Sequence, residues 1–145
     1  MMPKRLMLIG QSECGKTTLI QSLQQQPLHY QKTQTLDFVS SAIDTPGEYL
    51  ENPRLYSALI NASYDADVIA FVQSASNPYS IFAPQFASAF NKPVIGVVTK
   101  VDTLATSATE AAQQQLENAG VSCLFKTSSY QHVGIHQLRQ YLNWS

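Results

Sequence analysis

The strongest constraint on the fold lies near the start of the chain, where eight residues follow the pattern G-x-x-x-x-G-K-T. The pattern runs from Gly10 to Thr17. An apolar run at residues 6–9 precedes it, and residues 18–26 have the composition of a helix. A strand, a glycine-rich loop and a helix in this order let backbone N–H groups surround a phosphate chain. The pattern therefore predicts a phosphate-binding P-loop at the end of a buried strand.

Each part of this loop has an expected role toward a bound nucleotide. Its N–H groups and the positive end of the following helix dipole favour a polyphosphate. Lys16 would reach the β- and γ-phosphates, and the Thr17 hydroxyl would bind Mg²⁺. The nucleotide-binding residues expected in this segment are Gly10, Gln11, Ser12, Glu13, Cys14, Gly15, Lys16, Thr17 and Thr18.

Length and charge exclude several classes of protein. A chain of 145 residues fits a single domain, residues 1–145, with a core that needs no disulfides. Its net charge of −1 offers no electrostatic case for binding nucleic acid or an anionic membrane. No apolar run approaches the roughly 20 residues of a membrane helix. We expect a cytoplasmic protein whose two cysteines, Cys14 and Cys123, are reduced thiols.

Apolar runs alternate with helix-like stretches along the chain. Strands are predicted at residues 6–9, 36–39, 42–43, 67–72, 93–98 and 121–126. Helices are predicted at residues 18–26, 55–63, 82–90, 107–119 and 136–142. Runs that stay apolar without alternation are typical of strands buried on both faces. The order predicts an α/β fold with a mainly parallel central sheet flanked by helices, and ligands at the carboxyl ends of its strands.

A second motif, Asp44-Thr45-Pro46-Gly47, follows the predicted strand at 42–43. In P-loop proteins an Asp at this place holds Mg²⁺. The N–H of Gly47 can bind the γ-phosphate, so that loss of this phosphate frees the segment after it. Glu48 stands where a catalytic glutamine is expected, and an ionised Glu can only accept hydrogen bonds. Glu48 is therefore either a general base or an exposed glutamate.

Two further motifs predict a purine site. Thr99-Lys100-Val101-Asp102 matches [N/T]-K-x-D, in which one carboxylate accepts hydrogen bonds from N1–H and N2–H of guanine. Adenine offers neither donor there, so Asp102 would select guanine. Thr99 keeps a hydroxyl but lacks the amide of the usual Asn. After the last predicted strand, Ser128 and Ser129 resemble the S-A-x motif that backs the base.

Together the four motifs resemble the Ras-like GTPase family, over nearly the whole chain. A narrower resemblance, to the EutP/PduV family and closer to its PduV branch, covers residues 4–143. It rests on H-Y-Q-K-T-Q at 29–34 and D-T-P-G-E-Y-L-E-N at 44–52. Members of that family are small P-loop NTPases from propanediol or ethanolamine operons. The resemblance implies GTP or GDP with Mg²⁺, and a microcompartment shell or positioning protein as partner.

The resemblance also implies a switch threonine that binds Mg²⁺ and the γ-phosphate. Thr35 lies nineteen residues after Lys16, as in Ras-like proteins, whereas the family's K-T-Q motif favours Thr33, which we prefer. The candidate metal ligands are therefore Thr17, Thr33 and Asp44, and the candidate catalytic residues are Lys16, Thr33, Gly47 and Glu48. Because only nine residues separate Thr35 from Asp44, we predict a shortened second strand.

Three functions are compatible with these motifs. The first is a GTP-binding switch with slow hydrolysis, located in the cytoplasm or at a microcompartment. The second is an ATP-dependent phosphotransferase, since acetate kinase activity is attributed to the EutP side of the family. Such an enzyme would need a cationic pocket, for which Lys32 and Arg54 are the nearby candidates. The third is a non-catalytic adaptor that binds its partner regardless of nucleotide.

Overall fold

The computed structural model describes residues 4–11, 15–24, 37–39, 42–76, 82–100, 106–128 and 133–144. The strands in these ranges are β1 Leu6–Gly10, β2 Asp37–Val39, β3 Ala42–Asp44, β4 Val68–Ser74, β5 Val94–Thr99 and β6 Leu124–Lys126. The helices are α1 Lys16–Leu23, α2 Gly47–Glu51, α3 Tyr56–Ser63, α4 Thr106–Asn118 and α5 Ile135–Tyr141. Short 3₁₀ turns lie at Pro53–Leu55 and Phe86–Ala89. No helix in the described ranges is long and apolar enough to cross a bilayer.

The described strands form one sheet in the order β2-β3-β1-β4-β5-β6. Every neighbouring pair is parallel except β2 and β3, which are antiparallel. The antiparallel strand β2 has three described residues. The predicted fold class is thereby confirmed: a mainly parallel sheet, flanked by helices, with a shortened second strand.

Each face of the sheet is covered by its own set of helices. Successive strand residues point to opposite faces. Leu6 and Leu8 therefore pack in the core under α1 and α5, whereas Met7 and Ile9 pack in the core under α2, α3 and α4. All four side chains are fully buried. Burial on both faces explains why these strands read as continuous apolar runs.

The helix predicted at 82–90 is wrong, because the structure has only the 3₁₀ turn Phe86–Ala89 in this segment. Pro84 has no N–H to give an α-helix and restrains the residue before it. Gln85 has a left-handed φ of 59°, which a right-handed helix excludes. The phenylalanines of the segment pack instead on Phe71 of β4, with ring centroids 4.6–5.9 Å away: Phe82 and Phe86 are stacked on it, and Phe90 meets it edge to face.

The C-terminal helix holds α1 and the first strand in place. The indole Nε1 of Trp144 donates a hydrogen bond to the carbonyl oxygen of Lys4 at 2.7 Å. The N–H of Lys4 donates in turn to Leu142 at 2.8 Å. The guanidinium of Arg139 donates to the carbonyl oxygen of Leu23, the last residue of α1. A cation at a helix C-terminus also interacts favourably with the helix dipole. These bonds restrain the helix that begins at the P-loop.

Candidate functional site

The carboxyl ends of four neighbouring strands form one edge of the sheet, and the described site residues lie there. Gly10 ends β1, Asp44 ends β3, Ser74 ends β4 and Thr99 ends β5. Loops at this edge of a parallel sheet are where α/β proteins bind ligands. The topology therefore brings a glycine loop, an acidic residue and the predicted base-reading segment to one place.

In the described part of the glycine loop, the side chain of Lys16 folds back onto the loop backbone. Gly15 has a left-handed φ of 97°, a conformation that glycine adopts without steric cost. Lys16 begins α1, and its side chain is only 6% exposed. Its ammonium donates hydrogen bonds to the carbonyl oxygens of Gly10 at 2.9 Å and Gln11 at 3.3 Å. The charge is thus held over the loop, where a phosphate oxygen would be a stronger acceptor than a carbonyl.

A hydroxyl and a carboxylate meet beside this loop. Thr17 Oγ1 donates a hydrogen bond to Asp44 Oδ2 at 2.9 Å, and Asp44 is 5% exposed. Mg²⁺ is held in proteins by one or two carboxylates together with phosphate oxygens and waters. The pair fits a magnesium ion bound jointly with a nucleotide. In the part of the chain that the structure describes, no group of three or more His, Cys, Asp or Glu side chains could hold a metal ion by itself, without a nucleotide.

The segment after β3 is fastened to β1 by a threonine that the sequence reasoning did not single out. Thr45 is fully buried, and its Oγ1 donates a hydrogen bond to the carbonyl oxygen of Leu8 at 2.8 Å. Pro46 and Gly47 follow, and Gly47 begins α2. A signal for this role was present, since a hydroxyl next to a buried strand must find a partner. Thr45 thereby fastens the start of the D-x-x-G segment to β1.

The first residue of the predicted base-reading motif lies close to the glycine loop. A methyl group added at Gly15 would lie 3.6 Å from Thr99 Oγ1 and 3.8 Å from Lys100 Cε. Thr99 is buried, and Lys100 has a left-handed φ of 61°. The two motifs are more than eighty residues apart in sequence, yet one added methyl group would fill the space between them.

The segment after β6 is tied to the same edge. Val98 offers its carbonyl oxygen to both the N–H of Thr127 at 2.7 Å and the Thr127 hydroxyl at 3.2 Å. Ser128 is fully buried and forms a two-way backbone bridge to Val133, with both hydrogen bonds 3.0 Å long. Gly134 follows with a φ of 74° and leads into α5. Ser128 is therefore held next to the end of β5.

Several predicted site residues lie outside the described residues: Ser12, Glu13, Cys14, Thr33, the alternative Thr35, Asp102 and Ser129. Glu48 lies in α2, but its side chain is outside what the structure describes. Thr18 is buried in the first turn of α1. Arg54 is exposed, and its N–H is bonded to the side chain of Asn52 at 3.1 Å.

Comparison with known proteins points to one family. The model of a family described as PduV-EutP, ethanolamine utilisation - propanediol utilisation, matches residues 3–144. The chain is similar to the propanediol utilization protein PduV of Citrobacter freundii, with 46% identity covering 97% of this chain and 93% of that protein. It is also similar to the probable acetate kinase EutP of Escherichia coli K12, with 33% identity covering 96% of this chain and 89% of that protein.

A solved structure shares the fold at greater distance. The crystal structure of a bacterial selenocysteine-specific elongation factor, EF-Sec, superposes with a TM-score of 0.72 over 99% of this chain. The sequences are 20% identical, and the match spans 28% of the elongation factor chain. At that identity the likeness supports the architecture of the sheet and its flanking helices.

Proposed function

This chain belongs to the PduV-EutP family, and we propose that it is a small Mg²⁺-dependent GTP-binding protein with slow GTP hydrolysis. Its proposed role is that of a switch or accessory factor for a microcompartment of propanediol or ethanolamine utilisation. The observation that carries the proposal is the close approach of Thr99 and Lys100 to Gly15, where one added methyl group would contact both. One nucleotide can reach a phosphate-binding loop and a base-selecting motif only if the two lie side by side.

The phosphates would be bound at residues 10–18. Backbone N–H groups at the start of α1 point toward the carboxyl edge, and the helix dipole adds positive potential there. Lys16 would exchange its hydrogen bond with the carbonyl of Gly10 for one with a phosphate oxygen. Because that carbonyl is a neutral acceptor and the phosphate is charged, the exchange favours the bound state.

The metal would be held by Thr17 and Asp44, with Thr33 added from the switch segment. When bound, Mg²⁺ neutralises charge on the β- and γ-phosphates. Thr17 would give up its hydrogen bond to Asp44 in this arrangement, and the two oxygens lie 2.9 Å apart before any metal binds. Preorganised ligands of this kind reduce the cost of ordering on binding.

The base would be selected by Asp102 and supported by Thr99, Lys100, Ser128 and Ser129. A buried carboxylate facing adenine would lose the two donors that guanine supplies, and the unmet hydrogen-bonding capacity opposes binding. The order of preference expected from this chemistry is GTP and GDP over ATP and ADP.

Hydrolysis and switching would depend on the segment that begins after Thr45. Gly47 would donate its N–H to the γ-phosphate, and its release after hydrolysis would free α2. Glu48 lacks the donor by which a glutamine orients water, which is the reason for expecting slow turnover. A partner at the microcompartment shell or its positioning machinery would read the state of α2. The proposed location is the cytoplasm or the surface of such a microcompartment, with residues 1–145 acting as one domain.

A second candidate function is ATP-dependent phosphoryl transfer to acetate. It is favoured by the similarity to proteins named probable acetate kinase EutP. A carboxylate acceptor would need a cation near the γ-phosphate. Arg54 is exposed and near α2 in the chain, so it is the described candidate for that role.

Titration calorimetry separates the two functions. Purified, nucleotide-free protein is titrated with GDP, a GTP analogue and an ATP analogue, each with Mg²⁺ and with EDTA. The GTP-binding proposal expects tight guanine nucleotide binding and a much weaker ATP analogue, with Lys16→Ala weakening all three. Asp102→Asn should reduce the preference for guanine. Equal or tighter binding of the ATP analogue, together with Lys16-dependent formation of acetyl phosphate from ATP, would favour the kinase instead.

A further inference from the structure

A pair of serine hydroxyls forms the turn after β4, beside the site but outside the motifs that define it. Ser74 Oγ and Ser76 Oγ lie 2.6 Å apart and share a hydrogen bond. The backbone N–H of Ser76 also donates to Ser74 Oγ at 3.1 Å. Ser74 is 2% exposed, whereas Ser76 is exposed. A serine that accepts a hydrogen bond from the N–H two residues later stabilises a tight turn.

This turn is joined to the first residue of the base-reading motif. Ala75, between the two serines, donates its N–H to the carbonyl oxygen of Thr99 at 2.9 Å. Ser74 is also the register partner of Thr99 in the parallel pair β4–β5. Register partners project their side chains to the same face of a sheet. Ser74 and Thr99 therefore share the face on which Thr99 meets Gly15.

The backbone leaving β5 needs such a restraint. Lys100 has a φ of 61°, a conformation that L-residues adopt at a cost and keep only where their surroundings enforce it. The Asn usual at position 99 would offer an amide to help hold this loop, but Thr99 has only a hydroxyl. The hydrogen bond from the N–H of Ala75 restrains the carbonyl of Thr99, directly before the strained residue Lys100.

We propose that Ser74 and Ser76 are positioning residues for base recognition. Their hydroxyl pair fixes the turn that orients the N–H of Ala75, and this N–H holds the carbonyl of Thr99, the first residue of the base-reading motif. The inference rests on the proposed function, because it assumes that Asp102 reads a guanine. It adds a determinant of guanine selectivity that lies on β4.

The test compares GDP with IDP, whose base lacks the 2-amino group of guanine. The dissociation constant of IDP divided by that of GDP reports how well Asp102 is placed to accept from that group. We expect Ser74→Ala to lower this ratio about threefold to tenfold, the effect of one weakened hydrogen bond. Ser76→Ala should lower it in the same direction, and Ser76→Thr, which keeps the hydroxyl, should restore it. Because Ser76 is exposed, its variants leave the core intact.

Ser63→Ala is the matched control. Ser63 is also 2% exposed and donates its hydroxyl to the carbonyl of Ile60 at 2.5 Å, but it ends α3 near the start of β4. Loss of the Ser63 hydroxyl should leave the ratio of the IDP to the GDP dissociation constant unchanged. A wild-type preference for GDP that survives Ser74→Ala and Ser76→Ala would overturn this inference alone. A wild-type protein without that preference would overturn the proposed function as well.

Discussion

Replacing Gly134 by alanine should destabilise the protein through a backbone collision. Gly134 has a φ of 74°, and a Cβ placed there would lie 2.1 Å from the carbonyl oxygen of Lys126. A non-glycine residue in left-handed backbone costs roughly 1–2 kcal/mol. Moving the backbone to relieve the overlap adds about 1–3 kcal/mol. We expect Gly134→Ala to lower the free energy of unfolding by about 2–5 kcal/mol, measured by urea denaturation.

The same collision should reach the nucleotide site. Gly134 directly follows Val133, whose backbone is bridged to Ser128 by two hydrogen bonds. A shift that separates Gly134 from Lys126 therefore moves the segment expected to back the base. The dissociation constant of GDP should rise in Gly134→Ala even at temperatures where the variant is fully folded.

Gly120→Ala separates the collision from the dihedral cost. Gly120 also has a left-handed φ, 94°, but the nearest atom to its added Cβ is the end of the Gln85 side chain at 3.0 Å. That side chain can move away, so only the dihedral cost of roughly 1–2 kcal/mol remains. The reasoning is refuted if the two variants lose the same stability within about 0.5 kcal/mol, given typical errors of such extrapolations.

Three further perturbations test other contacts. Asp44→Asn keeps an oxygen for Thr17 but removes the negative charge, so Mg²⁺ should strengthen GTP-analogue binding about tenfold less than in wild type. Calorimetry with Mg²⁺ and with EDTA measures this effect, and an unchanged effect of Mg²⁺ would contradict the prediction. Thr45→Val removes the hydrogen bond to the Leu8 carbonyl and should lower the free energy of unfolding by about 1–2 kcal/mol. An unchanged urea midpoint would show that Thr45 does not anchor this segment to β1. Trp144→Phe removes the donor to Lys4 and should cost about 1 kcal/mol, and thermal unfolding with an unshifted midpoint would argue against this clamp.

The predicted strands were recovered because burial leaves a local trace. The apolar run predicted at 67–72 corresponds to β4, and the run at 93–98 corresponds to β5. Strands covered on both faces must be apolar throughout, so a short window of sequence is enough to find them. The 3₁₀ turn within residues 82–90 could not be predicted in this way, and the helix expected there is absent. Its apolar residues are spaced as in a helix, but Gln85 turns left-handed and the rings pack on Phe71.

Residues of the candidate site could be predicted from the sequence where the expected chemistry requires a fixed spacing along the chain. Lys16 and Thr17 follow the second glycine of their loop because one phosphate chain must meet all of them. Thr45 and Ser74 were missed because what they do depends on partners far away in sequence. Thr45 bonds to Leu8, and the turn after Ser74 bonds to Thr99.

The amino-acid sequence by itself determined where the strands and most of the helices lie, and it identified the residues that we expect to bind phosphate, a metal and a base. These features are local, since each follows from the composition or spacing of neighbouring residues. Tertiary structure alone decided that Thr99 would lie close to Gly15, that Thr17 would bond to Asp44, and that the turn after β4 would bond to the carbonyl of Thr99. Contacts of this kind depend on strand order and register, which arise only when the whole sheet assembles.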